Sequence, residues 1–172
     1  STNKGYGNSV TAPRDVTEGE LARQIILSLS ETVGMRIRMD HARISCVSVS
    51  ITSSSFEHSS KQMQLLSATD VTEEIYENAC RVFDKLWDGF TPIRQLGVHT
   101  SRVSMESQRQ YNLFDLERFD KLEKCNHAVD AIRNRFGEDS VRRACFVNNQ
   151  IKHVSGGLDK ERRTGITQGL DL

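Results

Sequence analysis

Catalysis by side chains needs an acid, a base, a nucleophile or metal ligands converging on one point. The five histidines, His41, His58, His99, His127 and His153, never stand four residues apart, and no His-Glu-x-x-His run occurs. The helical histidine pair that holds a zinc ion therefore has no candidate. The four cysteines (Cys46, Cys80, Cys125, Cys145) lie 20 to 45 residues apart with no Cys-x-x-Cys pair, which suits scattered thiols in a reducing compartment better than a metal clip. The carboxylates fall mainly on expected helix faces: Glu73, Glu74 and Glu77 on one helix, Asp115 and Glu117 at the start of another. Two-metal phosphoryl chemistry wants them on strands around a cleft, and the expected strands hold almost none. No glycine-rich phosphate loop appears either; "GYG" at 5 to 7 is too short to cradle a phosphate and fits a glycine-rich edge strand equally well. The chain by itself is expected to carry no catalytic residue and no metal or other cofactor.

Bulk properties narrow the class further. The 172 residues carry zero formal charge, and 37% are hydrophobic, enough for one modest core with part of the chain solvated. Zero charge does not announce a nucleic-acid partner, so any such contact must be local. The run "IRQLGVHTSRVS", 93–104, has two arginines and a histidine without an acid. No apolar stretch approaches 18 residues, so the expectation is a cytoplasmic protein with no membrane partner. The chain starts without Met and enters a strand almost at once, as a piece cut from something longer would.

The elements that must position these residues follow from periodicity. "KGYGNSVTAP", 4–13, reads as a glycine-rich strand closed by Pro13. Thr17 and Glu20 form a Thr-x-x-Glu capping box, followed by Leu21, Ile25, Leu29 and Val33, the stripe of an amphipathic helix to about Met39 that Gly34 weakens. Over 43–55 the period becomes two, with Val47, Val49 and Ile51 on one face and Ser48, Ser50 and Thr52 on the other. A partner strand is expected at 61–67. A second helix, capped by Thr69 or Asp70, buries Ile75, Ala79, Val82, Phe83 and Leu86 and stops at Gly89. The run 93–104 is then a strand with Leu96 and Val98 on one side and Gln95, Gly97 and His99 on the other. A third helix spans about 116–136, with Leu122, Cys125, Val129, Ile132 and Phe136 as its apolar stripe, and the tail beyond is polar. The predicted organisation is a domain at 1–104, a linker at 105–115 and a helical extension with polar tail at 116–172.

Strand, helix, strand, strand, helix, strand is the order of an α+β split β-α-β fold, with two helices on one face of a four-stranded antiparallel sheet. The other face is left bare, lined by Gly7, Ser9, Thr11, Ser48, Ser50, Thr52, Gln95 and His99. Such a face can simply be solvated. It is a poor base-reading surface, because the only aromatics near the strands are Tyr6 and, just past a strand end, Phe56. Hydroxyls and glycines suit sequence-tolerant contact with phosphates, with Arg94, Arg102 and Lys4 adding charge and salt weakening the contact.

In the linker, "SQRQYNLFD" (107–115) sets Leu113 and Phe114 side by side in a polar segment. They either tuck against the third helix or wait as an anchor for a partner.

Four separated runs, "GNSVTAPRDV", "IRQLGVHTSRVS", "QYNLFD" and "KLEKCNHAVDAIRNRFGEDSVRRA", resemble in order the C-terminal part of Y-family DNA polymerases, the translesion enzymes of the DinB/UmuC (ImpB/MucB/SamB) group. The resemblance implies a little finger domain whose sheet grips primer-template DNA, with Gly7, Asn8, Ser9 and Thr11 from the first strand and Arg94, Gln95 and His99 from the last on the DNA side. Several family members have arginine where Gln95 and His99 stand. "QYNLF" is similar to the bacterial sliding-clamp-binding pentapeptide; Gln110, Leu113 and Phe114 would engage the clamp, with Tyr111 in place of the usual leucine. The resemblance also implies a nucleotidyltransferase parent, acting in DNA repair and the SOS response, with Mg2+ in a palm domain absent from this chain. A UmuD-like partner and self-association of the isolated piece stay open. Two other classes are a stand-alone, non-catalytic accessory protein that binds clamp and DNA, and a small-molecule regulatory domain of the same topology.

Overall fold

The computed structural model describes residues 3–105 and 116–147. Four strands, β1 (Gly5–Val16), β2 (Arg43–Ser53), β3 (His58–Thr69) and β4 (Ile93–Ser104), form one sheet in the order β1-β4-β2-β3 with every neighbouring pair antiparallel. Helix α1 (Gly19–Met39) joins β1 to β2, α2 (Thr72–Leu86) joins β3 to β4, and α3 (Leu116–Phe136) follows. Each of the first two helices connects strands that have one other strand between them. That is the split β-α-β arrangement expected from the order of elements.

The core lies between sheet and helices. Val10, Val47, Val49, Leu96 and Val98 meet Ile25, Ile26, Leu29 and Val33 from α1 and Ile75, Ala79 and Phe83 from α2, all within 2% of full burial. Val47, Val49 and Ile51 of β2, with Val98 of β4, put a β-branched surface under the helices, where such side chains pack well.

Several local expectations are corrected. β1 does not stop at Pro13 but runs to Val16. The ladder with β4 breaks between Thr11 and Val16, because proline has no N–H to donate, and the edge position of β1 tolerates the gap. The Thr17–Glu20 box does not form: α1 begins at Gly19 after Glu18, without a side-chain cap. The Thr69 hydroxyl does accept the Val71 amide at 3.1 Å, one residue ahead of α2, while Val71 itself takes the cap position. Helix α2 ends at Leu86, short of Gly89, because Trp87 turns back to stack on Phe83 (centroids 5.4 Å apart) and donates its indole N–H to the Thr91 carbonyl. Gly89 serves the next turn, at φ +89°. Strand β3 is longer than expected, because the β2–β3 connection takes only a tight turn.

The largest correction concerns α3. Its expected stripe is only partly buried: Leu122 and Val129 are half-buried, Cys125 is exposed, and Ile132 and Phe136 are 41% and 68% exposed. The buried side is polar, with Asn126 at 8% and Arg133 at 4%. This side meets the outer surfaces of α1 and α2, which are themselves charged. Arg38 donates both Nε and Nη2 to the Asp130 carboxylate (2.6 and 3.2 Å) and its Nη1 to the Asp70 carbonyl and Thr72 hydroxyl. Arg143 pairs with Glu31 and Glu73, and Asn126 donates to Glu73 at 3.0 Å. Burial pushes the Glu73 carboxyl up, but the bonds from Asn126 and Arg143 outweigh it and hold the group below its ordinary range. Gly34, expected only to weaken α1, makes this junction possible. A Cβ there would lie 2.6 Å from the Thr72 hydroxyl and 3.0 Å from Arg38 Nη1.

Candidate functional site

Antiparallel pairing fixes which side chains share the uncovered face, since directly paired residues point the same way. Four rows of four cross the sheet from β1 through β4 and β2 to β3: Gly5–Ser101–Cys46–Gln64, Gly7–His99–Ser48–Gln62, Ser9–Gly97–Ser50–Ser60 and Thr11–Gln95–Thr52–His58. Every side chain in the grid is a hydroxyl, carboxamide, imidazole, thiol or glycine hydrogen, and the thiol, that of Cys46, is buried at 3% exposure. No carboxylate, lysine or arginine stands in it. Helix α3 docks on the helical layer, on the far side of the molecule from this grid.

Eight of the ten sheet residues singled out in the sequence belong to the face: Gly7, Ser9, Thr11, Ser48, Ser50, Thr52, Gln95 and His99. Two do not. Asn8 pairs with fully buried Val98 and so shares the helix side; its side-chain Oδ1 accepts the Ser9 amide at 3.0 Å. Arg94 falls in a bulge, where β4 advances from Ile93 to Gln95 while β2 advances only from Ser53 to Thr52. The extra residue lets Ile93 enter the core and Gln95 face outward although they are two apart. Arg94 is thrown to the margin, its guanidinium 4.9 Å above the Phe56 ring. Tyr6 faces inward, 5% exposed, donating its hydroxyl to Asp40 at 2.7 Å. Gln110, Leu113 and Phe114 lie outside the described residues.

The outward residues of β3, namely His58, Ser60, Gln62 and Gln64, were missed, because that strand was assigned too short and given no faces. Their signal was present: Ser60, Gln62 and Gln64 alternate with Lys61, Met63 and Leu65, and Met63 and Leu65 pack against the core. Lys61, on the helix side, donates to the Lys85 carbonyl at 3.0 Å, where the end of α2 favours a cation.

His99 organises the centre of the face. A Cβ on Gly7 would lie 2.1 Å from its Nδ1, and one on Gly97 would lie 3.0 Å from its Nε2 and 2.8 Å from the Ser50 hydroxyl. The glycines thus give space to the imidazole itself, which lies across them. Desolvation by that packing, with a smaller repulsion from His58, lowers the His99 pKa below 6.5. The ring is therefore neutral in the free protein near pH 7, able to donate one hydrogen bond and accept one. Charge is confined to the rim, where Lys4, Arg94 and Arg102 are exposed, as is the Glu57 carboxylate next to His58. Among the described residues, no group of three or more His, Cys, Asp or Glu could hold a metal ion, and no helix is long and apolar enough to cross a membrane.

Comparison with known proteins places this architecture. Residues 3–113 match the impB/mucB/samB family C-terminal domain. The chain is 38% identical over 150 residues to DNA polymerase IV of Acetivibrio thermocellus and 31% identical over 166 residues to DNA polymerase IV 2 of Halalkalibacterium halodurans, alignments that cover 86% and 95% of this chain. It spans only 37% and 38% of the length of those relatives. The fold matches that of Dbh DNA polymerase in an insertion ternary complex, with a TM-score of 0.53 at 12% identity over 59% of this chain and 29% of the other. A Y-family polymerase chimera gives 0.54 at 13% identity over 62% and 30%. On the family match and the identity to these relatives, the chain belongs to the impB/mucB/samB family, whose C-terminal domain it carries.

Proposed function

We propose that the grid is a backbone-gripping surface for primer-template DNA, and that the chain serves as the DNA-holding and clamp-tethering part of an error-prone polymerase acting in translesion synthesis. One observation carries this reading: sixteen adjoining positions on the face opposite the helices with no carboxylate among them, with Lys4, Arg94 and Arg102 exposed at their rim and α3 docked on the other side. Hydroxyl, amide and imidazole groups bond phosphate oxygens without reading base edges, and a surface free of acids does not repel them. Catalysis, with its magnesium, belongs on this reading to regions of the parent outside the chain. The share of its relatives that the chain spans favours this over a stand-alone accessory protein. Gln110 would supply directed hydrogen bonds, and Leu113 and Phe114 apolar anchors, to a sliding clamp.

The test is a pair of titrations, with primer-template duplex and with a bacterial sliding clamp. Duplex affinity is expected to fall steeply with added salt. Replacing Leu113 and Phe114 by Ala should weaken clamp binding at least about tenfold, as loss of buried anchors does, without changing duplex affinity. Unchanged clamp affinity would remove the tether, and a salt-independent duplex interaction would remove the grip.

The imidazole supplies a pH test. A phosphate beside His99 favours its charged form, so the bound ring takes up a proton that the free ring, with its lowered pKa, does not hold. Duplex affinity should therefore rise as the pH falls from about 7.5 towards 6. His99→Gln should show a flatter profile. The same lowered pKa works against folding in acid, since the unfolded chain binds that proton first and stability drops as pH falls below 6.5.

A further inference from the structure

From the turn that ends the grid, we infer that Phe56 and Arg94 form a stacking platform for an unpaired nucleobase at the margin of the sheet. The inference rests on the nucleic-acid reading of the open face and extends it to a second class of ligand, a single-stranded template end.

Phe56 sits at φ +65°, a left-handed backbone that glycine or asparagine would adopt more readily and a bulky ring adopts only under constraint. The constraint is visible. The Phe56 amide donates to the Ser53 carbonyl (3.0 Å) and the Ser53 amide to the Glu57 carbonyl (2.9 Å). The Glu57 amide donates to the Ser53 hydroxyl (3.2 Å), and the Ser54 amide to the Pro92 carbonyl (3.0 Å). The last bond ties this turn to the entry of β4, where the bulge ejects Arg94. Two irregularities, the turn between β2 and β3 and the bulge in β4, thus converge on a single aromatic–guanidinium pair. The ring gains little burial from this: it is 70% exposed.

A strained, over-determined turn that presents an aromatic to solvent is a recurring mark of a ligand contact. The chemistry here matches a base. An aromatic ring offers a sequence-tolerant stacking surface, and a guanidinium stacks on aromatic planes while its charge attracts the adjoining phosphate. No ion pair among the described residues neutralises Arg94. Phe56 lies two residues from His58, whose ring accepts or donates a 3.2 Å hydrogen bond with Thr52 in the last row of the grid. A strand leaving a duplex held on the grid meets the platform next.

The experiment uses the full chain and two DNA probes: a blunt duplex, and the same duplex with a short single-stranded 5′ extension carrying 2-aminopurine beside the junction. The wild-type protein is expected to bind the extended probe about tenfold more tightly than the blunt one and to quench the 2-aminopurine. Phe56→Ala, and Phe56→Asn, which suits the left-handed turn, should both lose the preference and the quench while keeping blunt-duplex affinity. If both variants retain preference and quench, or if the wild type shows neither, the platform is refuted. Failure of the grip reads differently, as absence of blunt-duplex binding by the wild type. The single strand alone then decides the platform, which stands if Phe56→Ala weakens that binding and falls if it does not.

Discussion

Ser50→Asp is expected to lower duplex affinity by roughly a hundredfold or more, since like-charge contact across an interface costs several kcal/mol. Ser50 stands in the third row between Gly97 of β4 and Ser60 of β3, well inside the grid, so a carboxylate there cannot swing clear as a rim side chain can. It would face phosphates with no lysine or arginine in the grid to neutralise it. The fold should survive, because Ser50 is on the uncovered side of its strand and only half-buried. Lys61→Gln is the control. It also shifts net charge by one towards the negative, but at a residue on the helix side of β3 that reaches the end of α2. Its effect on duplex binding should be small and should vanish at moderate salt. Equal losses for the two variants would show that bulk charge, and not the grid, governs binding.

Asp130→Ala should detach α3 while leaving the core folded. Arg38 and Asp130 have side-chain exposures of only 4% and 12%, and removing one partner of a buried pair costs about 3–5 kcal/mol because the remaining charge is left uncompensated. The core need not bear that cost. Release of α3 lets water reach Arg38, and the apolar contacts of α1 and α2 with the sheet do not involve Asp130. The expected signature is fast amide exchange along 116–136 with protection in β2 and β4 close to wild type, and a small change in the main unfolding transition. Arg38→Met combined with Asp130→Leu should restore docking, since apolar replacement of a buried ion pair is often neutral or better. If Asp130→Ala exchanged no faster than wild type along α3, some other contact would hold the helix.

The two variants probe opposite sides of the molecule, and they differ in how far the sequence anticipated them. Period-two alternation in "CVSVSIT" already separated Val47, Val49 and Ile51 from Ser48, Ser50 and Thr52, because side-chain direction in a strand is a local property. The same logic placed Gly7, Ser9, Thr11, Gln95 and His99 on one face. Arg94 and Asn8 were given to the DNA side by the family resemblance and not by alternation; a bulge throws the first to the margin, and the parity of the second turns it towards the helices. In α3 a regular apolar spacing was legible, yet burial went to Asn126 and Arg133. A helix buries whichever side matches the surface it meets, and that surface, made by Glu31, Arg38 and Glu73, is assembled from two other helices.

What the sequence determined by itself was the succession of elements, the two-sided character of the strands and the family, because these depend on neighbours within a few residues or on motifs read in order. What only the tertiary structure decided was strand adjacency, the rows across the sheet, the imidazole lying over two glycines, and the ionic docking of α3. Each is a meeting of residues far apart in the chain, set by register and by complementary charge, and nothing within the span of one strand or helix encodes it.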